Sequence, residues 1–397
     1  MMASAGKKTQ KILILIEDGS FLFDNRVKRE AETLTAAGYQ VVVICPRYPG
    51  ESSFGIHGNV PIYRYKKWKF GGHFGEYLSS LLKGGWLALR AWRRHGRFDF
   101  IQACNPPDLW FIIAALFKLI SGTKFVFDHH DICPELFLSR FGENHRIGYA
   151  MMLLLEKLTF KLSDGVISTN ESYKRIARRR GGMPADKVRV VRNGPDLKKF
   201  SPRERDPQII DSDAILVGYL GNMNPQDGVD HLLLAAQSIV HQHRRTDIHF
   251  VLIGKGDAFD DLKRKAKLLN LNGRVRFMGR LPDDEMLRFL SSCDICVQPD
   301  PLNPLNNLST MNKVMEYMAL EKPVVAYDLV ETRYTGADCL LYAEPNNPDD
   351  LARKIIRLAD DPEKRRSLGR RGRKRVEASL SWEHSEIQLL DLYKLLS

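Results

Sequence analysis

The 397-residue sequence has no apolar run long enough to cross a bilayer. The longest, Leu109 to Ile120, is broken by Lys118 and falls short of the ~20 residues a spanning helix needs. It reads as a buried helix packed on a sheet. No secretory leader is expected either. Lys7, Lys8 and Lys11 lead into Ile12–Ile16, which is strand-length and stops at Glu17-Asp18-Gly19. These two absences set the expectation of a cytoplasmic protein. Cysteine is sparse, with six scattered residues. Only Cys293-x-x-Cys296 has ligand spacing, and without a second pair or a nearby histidine it argues against zinc. Cys296, inside Ile295-Cys296-Val297, reads as a buried thiol. No low-complexity tract interrupts an ordinary globular composition.

Acidic residues are short in one half only. Residues 1–200 hold 32 Lys and Arg against 18 Asp and Glu, whereas 201–397 hold 28 against 30. Such asymmetry implies that the first half meets something anionic: a membrane surface, a phosphorylated acceptor or nucleic acid. No recognition helix or RNA-binding motif supports the last, so no nucleic-acid partner is expected. From Arg64 to Arg97, basic residues mix with Trp68, Phe70, Trp86 and Trp92. That pattern fits either a segment lying on an anionic bilayer or a solvated basic face over a buried aromatic one.

At this length two domains are the default. Strand-like runs at Lys11–Ile16, Val41–Cys45, Phe98–Ala103, Lys124–Asp128, Gly165–Ser168 and Lys187–Val191 alternate with helical patterns. After a polar stretch at Ser201–Asp213 the alternation resumes with Ala214–Leu220, His249–Ile253, Val275–Phe277, Ile295–Val297, Val324–Ala326 and Cys339–Tyr342. This predicts an α/β protein of two doubly wound, Rossmann-like parallel sheets. The expected limits are residues 1–200, 201–375 and a terminal helical segment, 376–397.

The richest segment is Asn312-Lys313-Val314-Met315-Glu316-Tyr317-Met318-Ala319. Ser309 or Thr310 is placed to cap a helix here, and Asn312 and Glu316 share one face. A helix N-terminus beside Lys313 suits phosphate, while Glu316, one turn deeper, suits the hydroxyls of a ribose. Glycine-flanked turns follow strands at Gly221-Asn222-Met223-Asn224-Pro225-Gln226-Asp227-Gly228 and at Gly254-Lys255-Gly256, where backbone can approach a ligand closely.

Together with Asp24-x-Arg26-Val27, Asp128-x-His130-Asp131, Val188–Asp196 and Val275–Gly279, these segments resemble family 4 retaining glycosyltransferases of the GT-B fold, over nearly the whole chain. The resemblance implies two domains facing a cleft, with the first binding the acceptor, the second the donor, and the last helix crossing back to the first domain. It implies transfer of a sugar from a UDP- or GDP-sugar to a saccharide or lipid-linked acceptor, with retention of configuration, no cofactor and no metal. A non-catalytic nucleotide-sugar-binding scaffold is the rival reading. The family's catalytic histidine maps to His130, with Glu316 as the second catalytic position and Asp131 as the group that fixes the histidine tautomer. Capping of the next helix and metal ligation are the other readings of His130. Donor contacts map to Gly221, Asn222, Gln226, Gly254, Lys255, Arg280, Asn312, Lys313 and Glu316, although Lys255 and Arg280 also fit solvated cations. Acceptor contacts map to Gly19, Asp24, Arg26 and Asp131, and helix capping alone also explains Asp24.

The sequence departs from the family in two places. Asn222 and Asp227 stand where Arg and Lys commonly grip the diphosphate, and Leu308 stands where a second glutamate is common, with Asn306 and Asn307 as substitutes. The acidic triplet Asp211-Ser212-Asp213 mimics a metal motif of another transferase fold but precedes a strand rather than following one.

Overall fold

Runs of β-branched and aliphatic residues such as Ile12-Leu13-Ile14-Leu15 carry no polar alternation, because both faces of their sheet are covered. In the computed structural model these four residues are wholly buried. The structure describes residues 9–397 apart from 69, 71, 143 and 210–213; Asp211-Ser212-Asp213 lies outside the described residues. The chain divides into two units, one running to Arg192 and including Ser385–Ser397, the other Asn193–His384.

The first unit is built on β1 (Lys11–Leu15), β2 (Gln40–Pro46), β3 (Phe54–His57), β4 (Val60–Tyr65), β5 (Phe100–Cys104), β6 (Lys124–His129), β7 (Gly165–Ser168) and β8 (Val188–Val190). Their order is β3-β4-β2-β1-β5-β6-β7-β8, parallel except for the β3–β4 hairpin. That hairpin was not anticipated. Tyr63, Arg64 and Tyr65 belong to its buried inner strand, so the basic aromatic segment begins inside the sheet. The chain's last helix, Trp382–Leu396, ends in this unit. Its Tyr393 stacks edge-on against Phe100 and donates a 2.6 Å hydrogen bond to Gln102 of β5.

The second unit holds β9 (Ile215–Leu220), β10 (Ile248–Ile253), β11 (Val275–Gly279), β12 (Ile295–Gln298), β13 (Val324–Tyr327) and β14 (Leu341–Ala343). The order is β11-β10-β9-β12-β13-β14, all parallel. Each sheet thus starts at its centre and reverses direction once, between β1 and β5 in the first unit and between β9 and β12 in the second. Ligands of such sheets bind beyond the strand C-termini at that reversal.

Three local features stand out, and the second corrects the buried-helix expectation. The helix from Val229 stays α-helical only to Gln237 and widens to a π-turn over Ser238–Gln242. Helix Phe111–Ser121 buries Ile113, Ala114 and Phe117 but turns Ile112, Leu116, Leu119 and Ile120 outward, so it is buried on one side only. Arg180, at the C-terminal end of helix Glu171–Arg179, bridges Glu135 at 2.6 Å and the fully buried Glu156 at 2.5 Å. Among the described residues no helix is long and apolar enough to cross a membrane, and all six cysteines are buried and free.

Burial already raises the Glu156 carboxyl against the pull of Arg180. Arg180→Ala would strand that carboxylate at a cost on the order of 3 kcal/mol. Below its raised folded value Glu156 takes up a proton and the penalty falls. Denaturant melts should therefore show a smaller loss near pH 5 than near pH 8.

Candidate functional site

In the first unit, β1 and β5 part at the sheet reversal. A cavity of about 140 Å³ opens there, bordered by Asp18, Asp24, Asn105, His130 and Asp131. The loop after β6 is held by one side chain. Asn105 Oδ1 accepts from the backbone N–H of His130 (2.7 Å) and of Asp131 (3.1 Å). Its amide nitrogen donates to the Asp131 carbonyl (2.6 Å) and to Asp108 Oδ1 (3.1 Å). Asn105 was not singled out from the sequence, where its only mark is a place between an apolar strand and Pro106-Pro107.

Beneath the loop lies a buried ionic network. Asp128 Oδ2 is 2.7 Å from His130 Nε2, and Asp128 Oδ1 is 3.0 Å from an Arg26 terminal nitrogen. Arg26 Nε is 2.8 Å from the same His130 nitrogen, and a second Arg26 nitrogen donates to the Val191 carbonyl. One ring nitrogen cannot donate to Asp128 and accept from Arg26 together. The carboxylate is the charge-matched partner, which places the ring proton on Nε2 and leaves Nδ1 as the basic nitrogen. Burial opposes ionisation of Asp128, but Arg26 and then His130 outweigh it and hold the carboxyl well below the usual range. Glu30 is pushed far upward by burial and by Asp128, so the two acids titrate as a pair.

Two expectations fail here. Asp131 does not orient the His130 ring; Asp128 does, because strand alternation turns residues 128 and 130 to one side. Arg26 does not face an acceptor. It is 5% exposed and its guanidinium is consumed inward by Asp128, Glu30 and Val191. Asp24 is the helix cap, accepting from the N–H groups of Arg26 (3.1 Å) and Val27 (3.0 Å), and it also borders the cavity. Gly19 sits in the loop after β1 at φ +115, where a side chain would be strained despite open space. His129 points the other way, among Phe127, Phe160 and Tyr173, and burial lowers it to about 3. Cys104, Asp128 and His130 bring ligand atoms within 4.8 Å of one another. A metal ion would meet the Arg26 guanidinium already seated on that carboxylate, so the donor set does not suit one.

In the second unit, Gly221 and Gly254 end β9 and β10 back to back. A Cβ on Gly254 (φ +135) would lie 1.8 Å from the Gly221 carbonyl, so no other residue fits there. Helix Asn312–Ala319 approaches the same strand ends. Tyr317 fastens it, its hydroxyl accepting from the Leu220 N–H at 2.6 Å. Lys313 reaches over the Tyr219 ring (4.8 Å to the centroid) and pairs with Asp300 at 2.8 Å, beyond the end of β12. Burial alone would lower the Lys313 ammonium, but Asp300 and Tyr219 raise it, so it stays charged. Asp300, absent from the sequence-based candidates, supplies that counter-charge.

The cap of this helix is neither Ser309 nor Thr310. The position falls to Met311, which makes no side-chain cap bond. Asn312 is exposed and Glu316 half-buried on the first turns. Asn222, Lys255 and Arg280 are exposed on the loops after β9, β10 and β11, with Gln226 half-exposed nearby. Asn306 is buried with its amide nitrogen spent inside the unit, whereas Asn307 is half-exposed with only its Oδ1 engaged. Asn306 donates to the Gln226 and Pro301 carbonyls, and Asn307 accepts from the Val330 N–H.

Two family models match consecutive halves of the chain: "Glycosyltransferase Family 4" over residues 24–199 and "Glycosyl transferases group 1" over 200–375. An uncharacterized glycosyltransferase of Methanocaldococcus jannaschii is 31% identical over 185 residues, 45% of this chain and 48% of that protein, so the match spans about half of the relative's length. A GDP-mannose-dependent monoacylated alpha-(1-6)-phosphatidylinositol monomannoside mannosyltransferase of Corynebacterium glutamicum is 24% identical over 309 residues, 73% of this chain and 76% of the other. A solved sucrose-phosphate synthase of Thermosynechococcus elongatus superposes with a TM-score of 0.81 at 21% identity, over 98% and 99% of the two chains. The fold is therefore GT-B, with two Rossmann-like domains.

Asp108, beneath Asn105, is raised to about 7 by burial, with Glu156 adding to it. A carboxyl raised on folding stabilises fully below its unfolded value near 4, and that share is gone once pH passes about 7. The fall in unfolding free energy between about pH 5 and about pH 8 should be smaller in Asp108→Asn than in the native chain, as read by denaturant melts.

Proposed function

The chain belongs to the family 4, group 1 glycosyltransferases, and on that premise we propose that it moves a sugar from a UDP- or GDP-sugar to a saccharide or lipid-linked acceptor, with retention at the anomeric carbon. The observation that carries this reading is Lys313, held charged beside Gly221 at the reversal of the second sheet. A diphosphate there would meet the Lys313 ammonium, the N-terminal N–H groups of helix Asn312–Ala319 and backbone opened by Gly221 and Gly254. Asp300 pairs with the ammonium when the site is empty, so the incoming diphosphate competes with a carboxylate for Lys313. That partly offsets the attraction, and the exposed Lys255 and Arg280 are placed to add to it. Asn222, Gln226 and Asn312 supply polar contacts around the donor. Glu316, one turn into the helix, accepts from the ribose hydroxyls.

On the acceptor side, His130 presents Nδ1 while Asp128 holds the opposite ring nitrogen. Such a ring can accept a hydrogen bond from a sugar hydroxyl next to the reacting carbon. Gly19, Asp24 and Asp131 border the space for the acceptor. The departing diphosphate takes the acceptor proton, with its growing charge met by Lys313 and the helix N-terminus. This chemistry needs no metal. The lipid-linked acceptor is favoured because the corynebacterial relative acts on a phosphatidylinositol mannoside by its name. Work at the cytoplasmic face of a membrane follows from the same reading, as does peripheral contact through the basic half.

A panel of UDP- and GDP-sugars read by thermal shift tests the donor half. The cognate donor should raise the melting temperature of the native protein and should not do so for Lys313→Ala or Glu316→Ala. His130→Ala should keep the shift and lose roughly 100-fold or more of turnover. Donor binding with no transfer or hydrolysis by the native protein would favour the scaffold reading instead.

A further inference from the structure

Helix Phe111–Ser121 carries no acidic residue, and its outer stripe is entirely apolar: Ile112, Leu116, Leu119 and Ile120, with Leu119 87% exposed. In sequence this looked like a core helix, yet among the described residues these four side chains stay exposed. Its neighbours repeat the pattern. Helix Gly72–His95 packs beside it, since a Cβ on Gly84 or Gly85 would touch Trp110 or Ile113, and exposes Leu78, Leu82 and Trp86 at four-residue spacing. Helix Arg146–Leu162 packs on its other flank, where Lys118 reaches the Leu162 carbonyl, and it exposes Ile147, Met151 and Leu154. Three neighbouring helices of one unit thus each present an exposed apolar stripe, and exposed apolar surface of this kind marks an interface.

Charge decides what the interface meets. The three helices hold eight Lys and Arg against two acids, and one of those acids, Glu156, is buried against Arg180. Arg90, Arg93 and Arg94 are exposed in the last turns of the first helix, and Lys157 and Lys161 near the end of Arg146–Leu162. Arg90 lies over the Trp86 ring, 5.5 Å from its centroid. Apolar stripes edged by cations, with an indole between them, match the acyl boundary and phosphate layer of a bilayer. A second copy of the same face would set cation against cation.

We infer that these three helices are a docking face for an anionic lipid surface. The inference narrows the membrane contact proposed above to Leu78–Arg94, Ile112–Ile120 and Ile147–Lys161. It does not depend on which sugar is moved, or on whether any is.

Sedimentation with vesicles tests it without reading activity. The full chain should pellet with phosphatidylcholine vesicles containing phosphatidylglycerol and stay in solution with phosphatidylcholine alone, and added salt should release it. Arg90→Gln/Arg93→Gln/Arg94→Gln should lower partitioning roughly 10- to 100-fold. Leu119→Ser/Ile120→Ser, exposed positions that leave the core intact, should lower it comparably with unchanged donor-induced thermal shift. Equal binding to both vesicle types, no binding to either, or variants that bind like the native chain would overturn the inference. So would a native dimer in light scattering that the Leu119/Ile120 variant dissociates.

Discussion

Asp128 is a carboxylate with no access to water, and the first unit is organised around keeping it charged. A lone buried anion would take up a proton instead. Arg26 prevents that, and Arg26 is itself buried, so neither residue is tolerable without the other. The pair fixes the rest by exclusion. Glu30 is pushed toward its protonated form by burial and by the anion already present. Gln102 turns its amide nitrogen to both acids and its oxygen to Tyr393, which ties the chain's last helix into the network. His130 receives the remaining lone-pair direction of Asp128, and so presents a set tautomer to the cavity. The orientation of one imidazole thus rests on groups up to 291 residues apart in sequence.

The second unit meets the same constraint differently. Lys313 is charged and mostly buried, its side chain 12% exposed, with Asp300 as its counter-ion, but here the pair ends at the candidate site instead of behind it. A buried ion pair adds little to stability when well-packed apolar residues would serve. On the proposed reading, its value lies in a cation that is already aimed, with a carboxylate that would yield it to a stronger anion. This offsets the absence of cations at Asn222 and Asp227. Asp227 instead closes the capping box with Asn224.

What was legible in the sequence follows from range. Runs such as His249–Ile253 and Gly165–Ser168 declare buried parallel strands within a few residues, and the structure places strands there. The turns at Gly221 and Gly254 were legible as close-approach points, although their contact with each other was not. The pairings that define the sites were illegible, because Arg26 and Asp128 lie 102 positions apart and no periodicity links them. Asp131 was the natural partner for His130 on proximity, and strand alternation overrides proximity. The Phe54–Tyr65 hairpin was hidden because its inner strand carries Arg64, whose guanidinium is buried against Glu51 and Ser52. A cation inside a strand reads as surface until its partners are known.

Helix Phe111–Ser121 carries the opposite lesson. Apolar content says that a surface leaves water, but not what replaces the water. Ile113, Ala114 and Phe117 would suffice to seat this helix on its sheet, and the four outward residues add nothing to that packing. In a monomer they only expose oil to solvent, at a cost of roughly 25 cal/mol for each Å² left uncovered. Polar residues at those positions would remove the cost without touching the core. The same choice recurs on both flanking helices, with arginine and lysine gathered at the stripe ends where a phosphate layer would lie. Folding the first unit explains its inner faces. Its outer apolar face is what the inferred docking would cover, and the charge around it fits a negative surface.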